Sequence, residues 1–358
     1  MQGEVKMKVL VCSDLSSVLN GRVKGKPEFF FFPEENIKKI EETFDEVVWN
    51  DTGAQLSKEA LIEKVKDVDA IITCWGSNQI DKEVLDNAPN LKIIAHMAGT
   101  VAPFVTEEVY ERGILVIGAN DREFSESVAE GALAMALTKL RRIDETSRIL
   151  RDQKKAGWRV FPDYRGLIDK TVGIVSFGAI AEYFAGMLQP FHCKIKVYSR
   201  SISDEKLKQY KMERASLEEI FSTCDVISVH TAWNQHTFHM INKELIKMMK
   251  DNALIINTAR GAVIDEEALT EELKTGRIMA ALDVFYPNEP PLEDNPLYDL
   301  DNVLITDHRG GPTPDRYRYI ASSIIDDVYN YLKNGTIPDN VIGKERAFSM
   351  TGAGVTKK

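Results

Sequence analysis

The chain has 358 residues, of which 44% are hydrophobic and 28% are charged, and it carries a formal net charge of -10 at pH 7. This length accommodates two domains of ordinary size. The acidic balance argues against nucleic acid or an anionic membrane surface as the main partner, because both carry negative charge. The four cysteines form no C-x-x-C pair and no apolar run is long enough to span a bilayer. We therefore expect a globular protein with no membrane partner, in a reducing, cytoplasmic compartment.

Strand and helix patterns alternate from the start of the chain. Helical segments are predicted around Glu35–Phe44 and Leu56–Val65. Short apolar runs typical of strands occur at Lys8–Cys12, Glu46–Trp49, Ala70–Thr73, Leu91–Ala95 and Ile114–Ile117. Strands separated by helices indicate βαβ units and a mainly parallel sheet.

The pattern changes at Ser125 and then begins again. A run rich in alanine, leucine and methionine, Ser125–Leu150, predicts one long helix that Ser125 or Ser127 would cap. A second alternating series has predicted strands near Val172–Phe177, Lys194–Ser199, Val226–His230, Ala253–Asn257, Met279–Phe285 and Val303–Thr306. A last long helix is predicted over Arg316–Asn334. The chain is therefore expected to form two α/β halves.

The turn that follows the strand at Val172 stands where dinucleotide-binding folds carry G-x-G-x-x-G/A. Here the three positions are Ser176, Gly178 and Ala181. The middle glycine, which lets a phosphate approach, is present, whereas Ser176 places a side chain where the turn is tight. Pyrophosphate would lie on the N-terminus of the helix that begins at Ala179. Taken alone, the motif is equally compatible with a tight turn that binds no cofactor.

In NAD enzymes, the end of the next strand usually carries an acidic residue for the ribose diol. Ser199 occupies that position here, and Arg200 follows it. A serine does not repel a 2′-phosphate and Arg200 can pair with one, so the sequence favours NADP(H) over NAD. The alternative is that Arg200 covers the adenine face and NAD binds.

Arg260, Glu289 and His308 each follow a predicted strand in the last third of the chain. Because the carboxyl ends of parallel strands form the ligand crevice, we expect these side chains to converge. A fixed cation, a carboxylate and a titratable imidazole are suited to moving a proton and holding an oxyanion. Each also has a structural explanation when taken singly. His96 and His230 are interpreted as structural, and no metal site is expected, since the spacing of histidines and cysteines matches none.

Together these segments resemble the D-isomer-specific 2-hydroxyacid dehydrogenase family, which includes phosphoglycerate dehydrogenase and the hydroxypyruvate/glyoxylate reductases. The resemblance covers nearly the whole chain. It is carried by the ordered motifs Ser127-Val128-Ala129-Glu130, Thr171-Val172-Gly173-Ile174-Val175, His239-Met240-Ile241-Asn242, Asn257-Thr258-Ala259-Arg260-Gly261, Ala281-Leu282-Asp283-Val284-Phe285 and His308-Arg309-Gly310-Gly311.

The resemblance implies two Rossmann-like, doubly wound α/β domains. A flavodoxin-like substrate domain would be split across both termini, over residues 1–124 plus 312–358. An inserted NAD(P)-binding Rossmann domain would occupy residues 125–311. It also implies a homodimer formed through the helix predicted at Ser125–Leu150.

The reaction implied by the resemblance is the reversible, NAD(P)H-dependent reduction of a 2-oxo acid to a D-2-hydroxy acid. Arg260 would grip the substrate carboxylate and the carbonyl oxygen, and His308 would donate a proton to that oxygen. Glu289 would favour the imidazolium. Asp283 would orient the nicotinamide carboxamide. Backbone N–H groups of Ala98, Gly99 and Thr100 would bind the substrate carboxylate, and the other implied cofactor contacts are Ser176, Phe177, Gly178, Ala179, Ile180, Ser199, Arg200, Thr258, Ala259 and His308.

Two departures from the family pattern affect this site. Asp307 stands where the family usually has proline, and it could either act on His308 or point to solvent. The step from Asp283 to Glu289 is one residue longer than usual, which we interpret as an insertion within Tyr286-Pro287-Asn288.

A non-catalytic, dinucleotide-sensing interaction protein on the same fold is the alternative. Ser176 and Ser199 favour it, whereas Arg260, Glu289 and His308 count against it. A formate-oxidising enzyme is a further alternative, but that family places a glutamine beside the histidine.

Overall fold

A computed structural model of the chain describes residues 6–14, 30–119, 121–160 and 163–350. The chain divides into two compact units, one formed by residues 1–124 with 312–358 and the other by residues 125–311. Each unit contains one parallel sheet. In the described part of the chain, no helix has the length and apolar character needed to cross a bilayer.

The sheet of the first unit has the strand order β2-β1-β3-β4-β5. Its strands are β1 Lys8–Asp14, β2 Glu46–Asn50, β3 Ala70–Thr73, β4 Ile93–His96 and β5 Leu115–Ile117. This is the flavodoxin-like order, and its topological switch point lies between β1 and β3. The described helices that lie wholly in this unit are Glu34–Thr43, Lys58–Lys64, Lys82–Asp86, Glu107–Glu111, Tyr317–Asn334 and Lys344–Ala347.

The core of the first unit forms because its central strands are apolar on both faces. Every residue of β3 and of β4 is buried, as expected for parallel strands covered by helices. The helix Tyr317–Asn334 contributes a stripe of buried residues with helical spacing, which includes Ile320, Ile324 and Val328. It ends at Gly335, whose φ of 68° is a left-handed C-cap that glycine adopts without strain.

The sheet of the second unit has the order β12-β11-β10-β9-β6-β7-β8. Its strands are β6 Thr171–Val175, β7 Lys194–Tyr198, β8 Met212–Arg214, β9 Val226–Val229, β10 Leu254–Asn257, β11 Met279–Leu282 and β12 Val303–Ile305. Numbered from β6, this is the Rossmann order 3-2-1-4-5-6 with one more strand, and the switch point lies between β6 and β9. The described helices wholly in this unit are Ile143–Gln153, Ala179–Leu188, Asp204–Gln209, Leu217–Thr223, Lys243–Met248 and Glu266–Lys274.

The prediction of an α/β fold with two Rossmann-like parallel sheets is confirmed, but the single helix predicted over Ser125–Leu150 is wrong. One helix covers Asp121–Leu140 and another covers Ile143–Gln153. Between them, Arg142 has a left-handed backbone with a φ of 51°. Capping by Ser125 or Ser127 is also wrong, because the helix already begins at Asp121.

A buried ion pair explains the break between these two helices. The ammonium of Lys139 is fully buried and lies 2.6 Å from the Glu145 carboxylate, and it also donates to the Asp301 carbonyl at 2.7 Å. In a continuous helix, residues six apart are turned about 240° from each other, so Lys139 and Glu145 could not meet. The left-handed Arg142 turns the chain back, and its guanidinium donates to the second oxygen of Glu145 at 3.0 Å.

Candidate active site

The turn that carries Arg260 is fastened by a buried asparagine. Asn257 ends β10 and is 1% exposed. Its Oδ1 accepts from the Ala259 N–H at 3.0 Å and its Nδ2 donates to the Arg260 carbonyl at 3.0 Å. A Cβ on Gly261 would lie 2.1 Å from the carbonyl carbon of Phe285, so only glycine fits there. The backbone on both sides of Arg260 is therefore held in place.

The guanidinium of Arg260 lies at the carboxyl end of β10. The residue is half-buried, and Nη1 donates to the Ala259 carbonyl at 2.5 Å. Burial lowers the pKa of the Arg260 guanidinium, and the negative charge of Glu289 acts against that shift. Because an arginine loses its proton only far above neutral pH, this group remains a cation.

His308 and Glu289 are in direct contact beyond the end of β12. Nδ1 of His308 hydrogen-bonds Oε1 of Glu289, and the two side chains are 46% and 35% exposed. Burial raises the pKa of Glu289, but the hydrogen bond and charge of His308, the Phe285 amide and the charge of Arg260 outweigh it, so the pKa lies below its usual value. A carboxylate can only accept, so Nδ1 carries the proton and Nε2 is the atom left for exchange with a ligand.

Asp283 directly follows β11 and is fully buried. It lies beside the turn of residues 306–310 that carries His308, the histidine turn. Its Oδ1 accepts from the Thr306 hydroxyl at 2.6 Å and from the Arg309 N–H at 2.7 Å, and its Oδ2 accepts from the Gly310 N–H at 2.7 Å. The family resemblance assigns this carboxylate to a nicotinamide carboxamide, and that role stays a prediction.

The two departures from the family pattern have simple outcomes in the structure. Asp307 forms an exposed, two-point ion pair with Arg309, with one of its contacts at 3.1 Å. Despite the extra residue in its loop, Glu289 reaches His308. The loop itself is anchored by Glu266, whose carboxylate accepts from the Tyr286 N–H at 2.9 Å.

The altered glycine turn after β6 is accommodated by a hydrogen bond. Ser176 has a φ of 71°, a conformation that favours glycine, and its hydroxyl lies 2.7 Å from that of Thr231. A Cβ on Gly178 would meet no protein atom within 4 Å, so the space in front of this glycine is open. Ala181 is fully buried where its helix, Ala179–Leu188, packs on the sheet. The turn therefore retains the open approach to a helix N-terminus that a pyrophosphate needs.

A pocket of about 200 Å³ lies beside this turn. It is lined by the predicted residues Ser176, Phe177, Ser199 and Arg200 and by Tyr198, Ser201, His236, Thr237 and Met240. The last three come from a loop after β9 and were not foreseen, because no periodicity brings that loop to β7 and the motif His239-Met240-Ile241-Asn242 was assigned no contact. Of the other predicted cofactor contacts, Ala179 and Ile180 begin the helix after Gly178, and Thr258 and Ala259 lie in the Arg260 turn.

The predicted substrate-binding residues Ala98, Gly99 and Thr100 belong to the first unit and begin two residues after the end of β4. His96, which ends β4, contacts the Thr73 hydroxyl through Nδ1 at 2.9 Å, and burial lowers its pKa to about 3. In the second unit, burial lowers the pKa of His230 to about 4. Both imidazoles are therefore neutral at pH 7.

Comparison with known proteins decides the family. Residues 133–310 match the model of the D-isomer specific 2-hydroxyacid dehydrogenase, NAD binding domain. The glyoxylate reductase of Thermococcus litoralis is 36% identical over 330 residues, which cover 89% of this chain and 98% of that protein. This chain belongs to the D-isomer specific 2-hydroxyacid dehydrogenase family.

A second relative and a solved structure are also similar to this chain. The D-3-phosphoglycerate dehydrogenase of Methanocaldococcus jannaschii is 34% identical over 313 residues, 86% of this chain and 57% of that one. The crystal structure of apo D-mandelate dehydrogenase from Rhodotorula graminis is 24% identical, covers 95% of this chain and 98% of its own, and superposes with a TM-score of 0.77, which shows a shared fold.

The family predicted from the motifs is thus confirmed. This dehydrogenase uses a nicotinamide dinucleotide to reduce 2-oxo acids to 2-hydroxy acids. The dinucleotide, when bound, supplies the hydride. A non-catalytic sensing role is not favoured, because the relatives are enzymes.

Proposed function

We propose that this dehydrogenase reduces a small 2-oxo acid of the glyoxylate class, which Arg260 holds and His308 protonates. The contact between Nδ1 of His308 and Glu289, at the same sheet edge as the Arg260 cation, carries this proposal. The full-length similarity to a glyoxylate reductase supports the substrate class. Residues 125–311 would form the dinucleotide-binding domain, and residues 1–124 with 312–358 would form the substrate domain.

In the proposed mechanism, each side chain has one task. The forked guanidinium of Arg260 binds the substrate carboxylate and the carbonyl oxygen through charge-assisted hydrogen bonds. Nε2 of the His308 imidazolium gives its proton to that oxygen as negative charge develops there. The ionised Glu289 stabilises the imidazolium through Nδ1. In the reverse direction, neutral His308 removes the proton from the hydroxyl. The family resemblance assigns the backbone N–H groups of Ala98, Gly99 and Thr100 to the substrate carboxylate, and Asp283 to the nicotinamide carboxamide.

A substrate panel tests the proposed class. Glyoxylate, hydroxypyruvate, pyruvate, branched 2-oxo acids and phosphohydroxypyruvate would each be assayed with NADH and NADPH. We expect the highest kcat/KM with glyoxylate or hydroxypyruvate. A preference of tenfold or more for a branched or phosphorylated acid would contradict the proposed class.

We also propose that NADPH is the preferred cofactor. Ser199, Arg200 and Ser201 line the pocket beside the glycine turn, and none of them repels a 2′-phosphate. The next carboxylate along the chain, Asp204, is paired with Arg214 at 2.8 Å. The exposed guanidinium of Arg200 is therefore the cation placed to bind the phosphate.

Replacing Arg200 by alanine is expected to lower kcat/KM for NADPH about 10- to 100-fold, the effect of losing a charge-assisted hydrogen bond. The value for NADH should change less than about threefold, since NADH lacks the phosphate. Lys208→Ala, which removes an exposed cation of the helix Asp204–Gln209 that does not line the pocket, is the matched control. Equal losses with both cofactors would show that Arg200 does not read the phosphate.

A homodimer and a cytoplasmic location complete the proposal. Large apolar side chains that are exposed in the single chain concentrate between residues 143 and 168, namely Ile143, Trp158, Val160, Tyr164 and Ile168. A second copy of the chain would cover them. Sedimentation equilibrium measures this directly, and a monomer at assay concentrations would contradict it. The free cysteines Cys12, Cys74, Cys193 and Cys224 fit a reducing compartment.

A further inference from the structure

We propose that Asp283 is a positioning residue for His308, acting through the turn of residues 306–310. This inference rests on the proposed role of His308 as the proton donor. It adds to the nicotinamide contact that the family resemblance implies for the same carboxylate, and the two roles predict different kinetic effects.

The backbone and the side chain of Asp283 are both held in place. It follows β11 directly and its side chain is fully buried. Its N–H donates to the carbonyl of Asn257 at 3.0 Å, which continues the β10–β11 ladder by one residue. A carboxylate at the end of a central strand, with its backbone in the sheet, has little freedom to move.

The histidine turn makes four hydrogen bonds to this one residue. The Thr306 hydroxyl and the Arg309 N–H donate to Oδ1, and the Gly310 N–H donates to Oδ2. The N–H of His308 itself donates to the Asp283 carbonyl at 3.0 Å. Donors therefore come from His308 and from residues on both sides of it.

The backbone of His308 needs such support. Its φ of 54° lies in the left-handed region, which persists in a non-glycine residue when the surroundings determine it. The turn is also packed tightly, because a Cβ on Gly310 would lie 2.7 Å from Oδ2 of Asp283 and 3.1 Å from Cβ of Thr258. Holding this turn keeps Nδ1 of His308 on Glu289 and so fixes the direction of Nε2.

The three donors also explain how a carboxylate is tolerated in the core. A buried charge costs free energy unless it is hydrogen-bonded, and here two backbone N–H groups and one hydroxyl satisfy it. An asparagine at this position has a single acceptor oxygen, so Asp283→Asn leaves at least one of these donors without its acceptor. The hydrogen bond that is lost is one of those that hold the histidine turn.

The test measures kcat, the KM of glyoxylate and the dissociation constant of NADPH for Asp283→Asn, Thr306→Val and Thr306→Ser. We expect Asp283→Asn to lower kcat about 10- to 100-fold, the scale of a misplaced catalytic group. NADPH should still bind at full stoichiometry, with its dissociation constant raised less than about tenfold, because the proposed nicotinamide contact of the same side chain is only weakened. Thr306→Val should lower kcat about tenfold, the effect of one hydrogen bond to a charged group, and Thr306→Ser, which keeps the hydroxyl, should stay within about twofold of wild type.

The pH profile separates positioning from a general loss of structure. When His308 is no longer held against Glu289, the contact between Nδ1 and the carboxylate is weakened, so the pH profile of reductive kcat in Asp283→Asn and Thr306→Val should differ from that of the wild type. A merely destabilised enzyme loses active sites but keeps its profile.

Several results would overturn the inference. One is an Asp283→Asn enzyme with normal kcat and NADPH binding weakened tenfold or more, which assigns the carboxylate to the nicotinamide alone. Another is a Thr306→Val enzyme whose kcat equals that of the wild type. If Asp283→Asn does not fold, the comparison of Thr306→Val with Thr306→Ser still tests the inference. If His308→Asn keeps its activity, the proposed function fails. If His308→Asn is inactive while Asp283→Asn and Thr306→Val are normal, only this inference fails.

Discussion

Replacing Arg260 by alanine is expected to lower kcat/KM for the 2-oxo acid by about 10³-fold or more. Two charge-assisted hydrogen bonds to the substrate carboxylate and carbonyl would be lost, and removal of one oxyanion donor alone costs about 10²–10³ in kcat. Steady-state kinetics with a saturating dinucleotide measures this effect. A loss smaller than tenfold would contradict the proposed role of Arg260.

Arg260→Lys is the matched control, because it keeps the positive charge and removes the planar fork. We expect it to recover only part of the activity. Neither variant should unfold the protein, because Asn257 and the close approach of Gly261 to Phe285 hold the turn at Arg260 through its backbone. Melting temperatures close to that of the wild type would verify that the kinetic loss arises in the site. Fluorescence titration should show that NADPH binding is retained.

The sequence predicts the sheets well because their strands are short, continuous apolar runs. Ile255 and Ile256, for example, are fully buried on β10, between two parallel neighbours. The strand β8, Met212–Arg214, was missed, because only Met212 is buried and the other two residues are exposed. An edge strand of this kind has no apolar run to reveal it.

The helix break at Arg142 shows a second limit of sequence reasoning. Local propensity favours one continuous helix, and the long-range contacts of Lys139 with Glu145 and the Asp301 carbonyl override it. Nothing in the local pattern marks Asp301 as a partner, because it lies far along the chain. Tertiary contacts of this kind decide where a helix ends.

The candidate site was predicted in its charged residues but not in its supports. Arg260, Glu289 and His308 were found because parallel strands deliver their following residues to one edge. The roles of Asn257 and Thr306 in fastening the two turns were not foreseen, since an asparagine or threonine at a strand end has many uses. Ser176 was recognised as unusual, but its partner Thr231 lies on a different strand–loop segment and no spacing rule connects them.

His308→Asn is expected to lower kcat about 10²–10⁴-fold in the reductive direction, the usual worth of a positioned general acid. Asparagine is chosen because it tolerates the left-handed backbone that His308 adopts, at a φ of 54°. NADPH should still bind this variant at full stoichiometry. A variant that keeps more than a tenth of wild-type kcat would exclude His308 as the proton donor.

Glu289→Gln tests the carboxylate that supports His308, and its effect depends on pH and on the direction of the reaction. Without the negative charge the imidazolium is less favoured, so reductive kcat at neutral pH should fall. Oxidation of the hydroxy acid needs neutral His308, so at pH 7 it should lose less activity than reduction does. Unchanged kinetics in both directions would show that Glu289 does not act on His308.

Glu289 also contributes to the stability of the fold, and the direction of its pKa shift gives the pH dependence of that contribution. Because the folded-state pKa of Glu289 is lowered, its carboxylate stabilises the fold above the unfolded-state pKa, and this is lost as pH falls through the folded-state value. The melting temperatures of wild type and Glu289→Gln should therefore differ at neutral pH and become equal in acid.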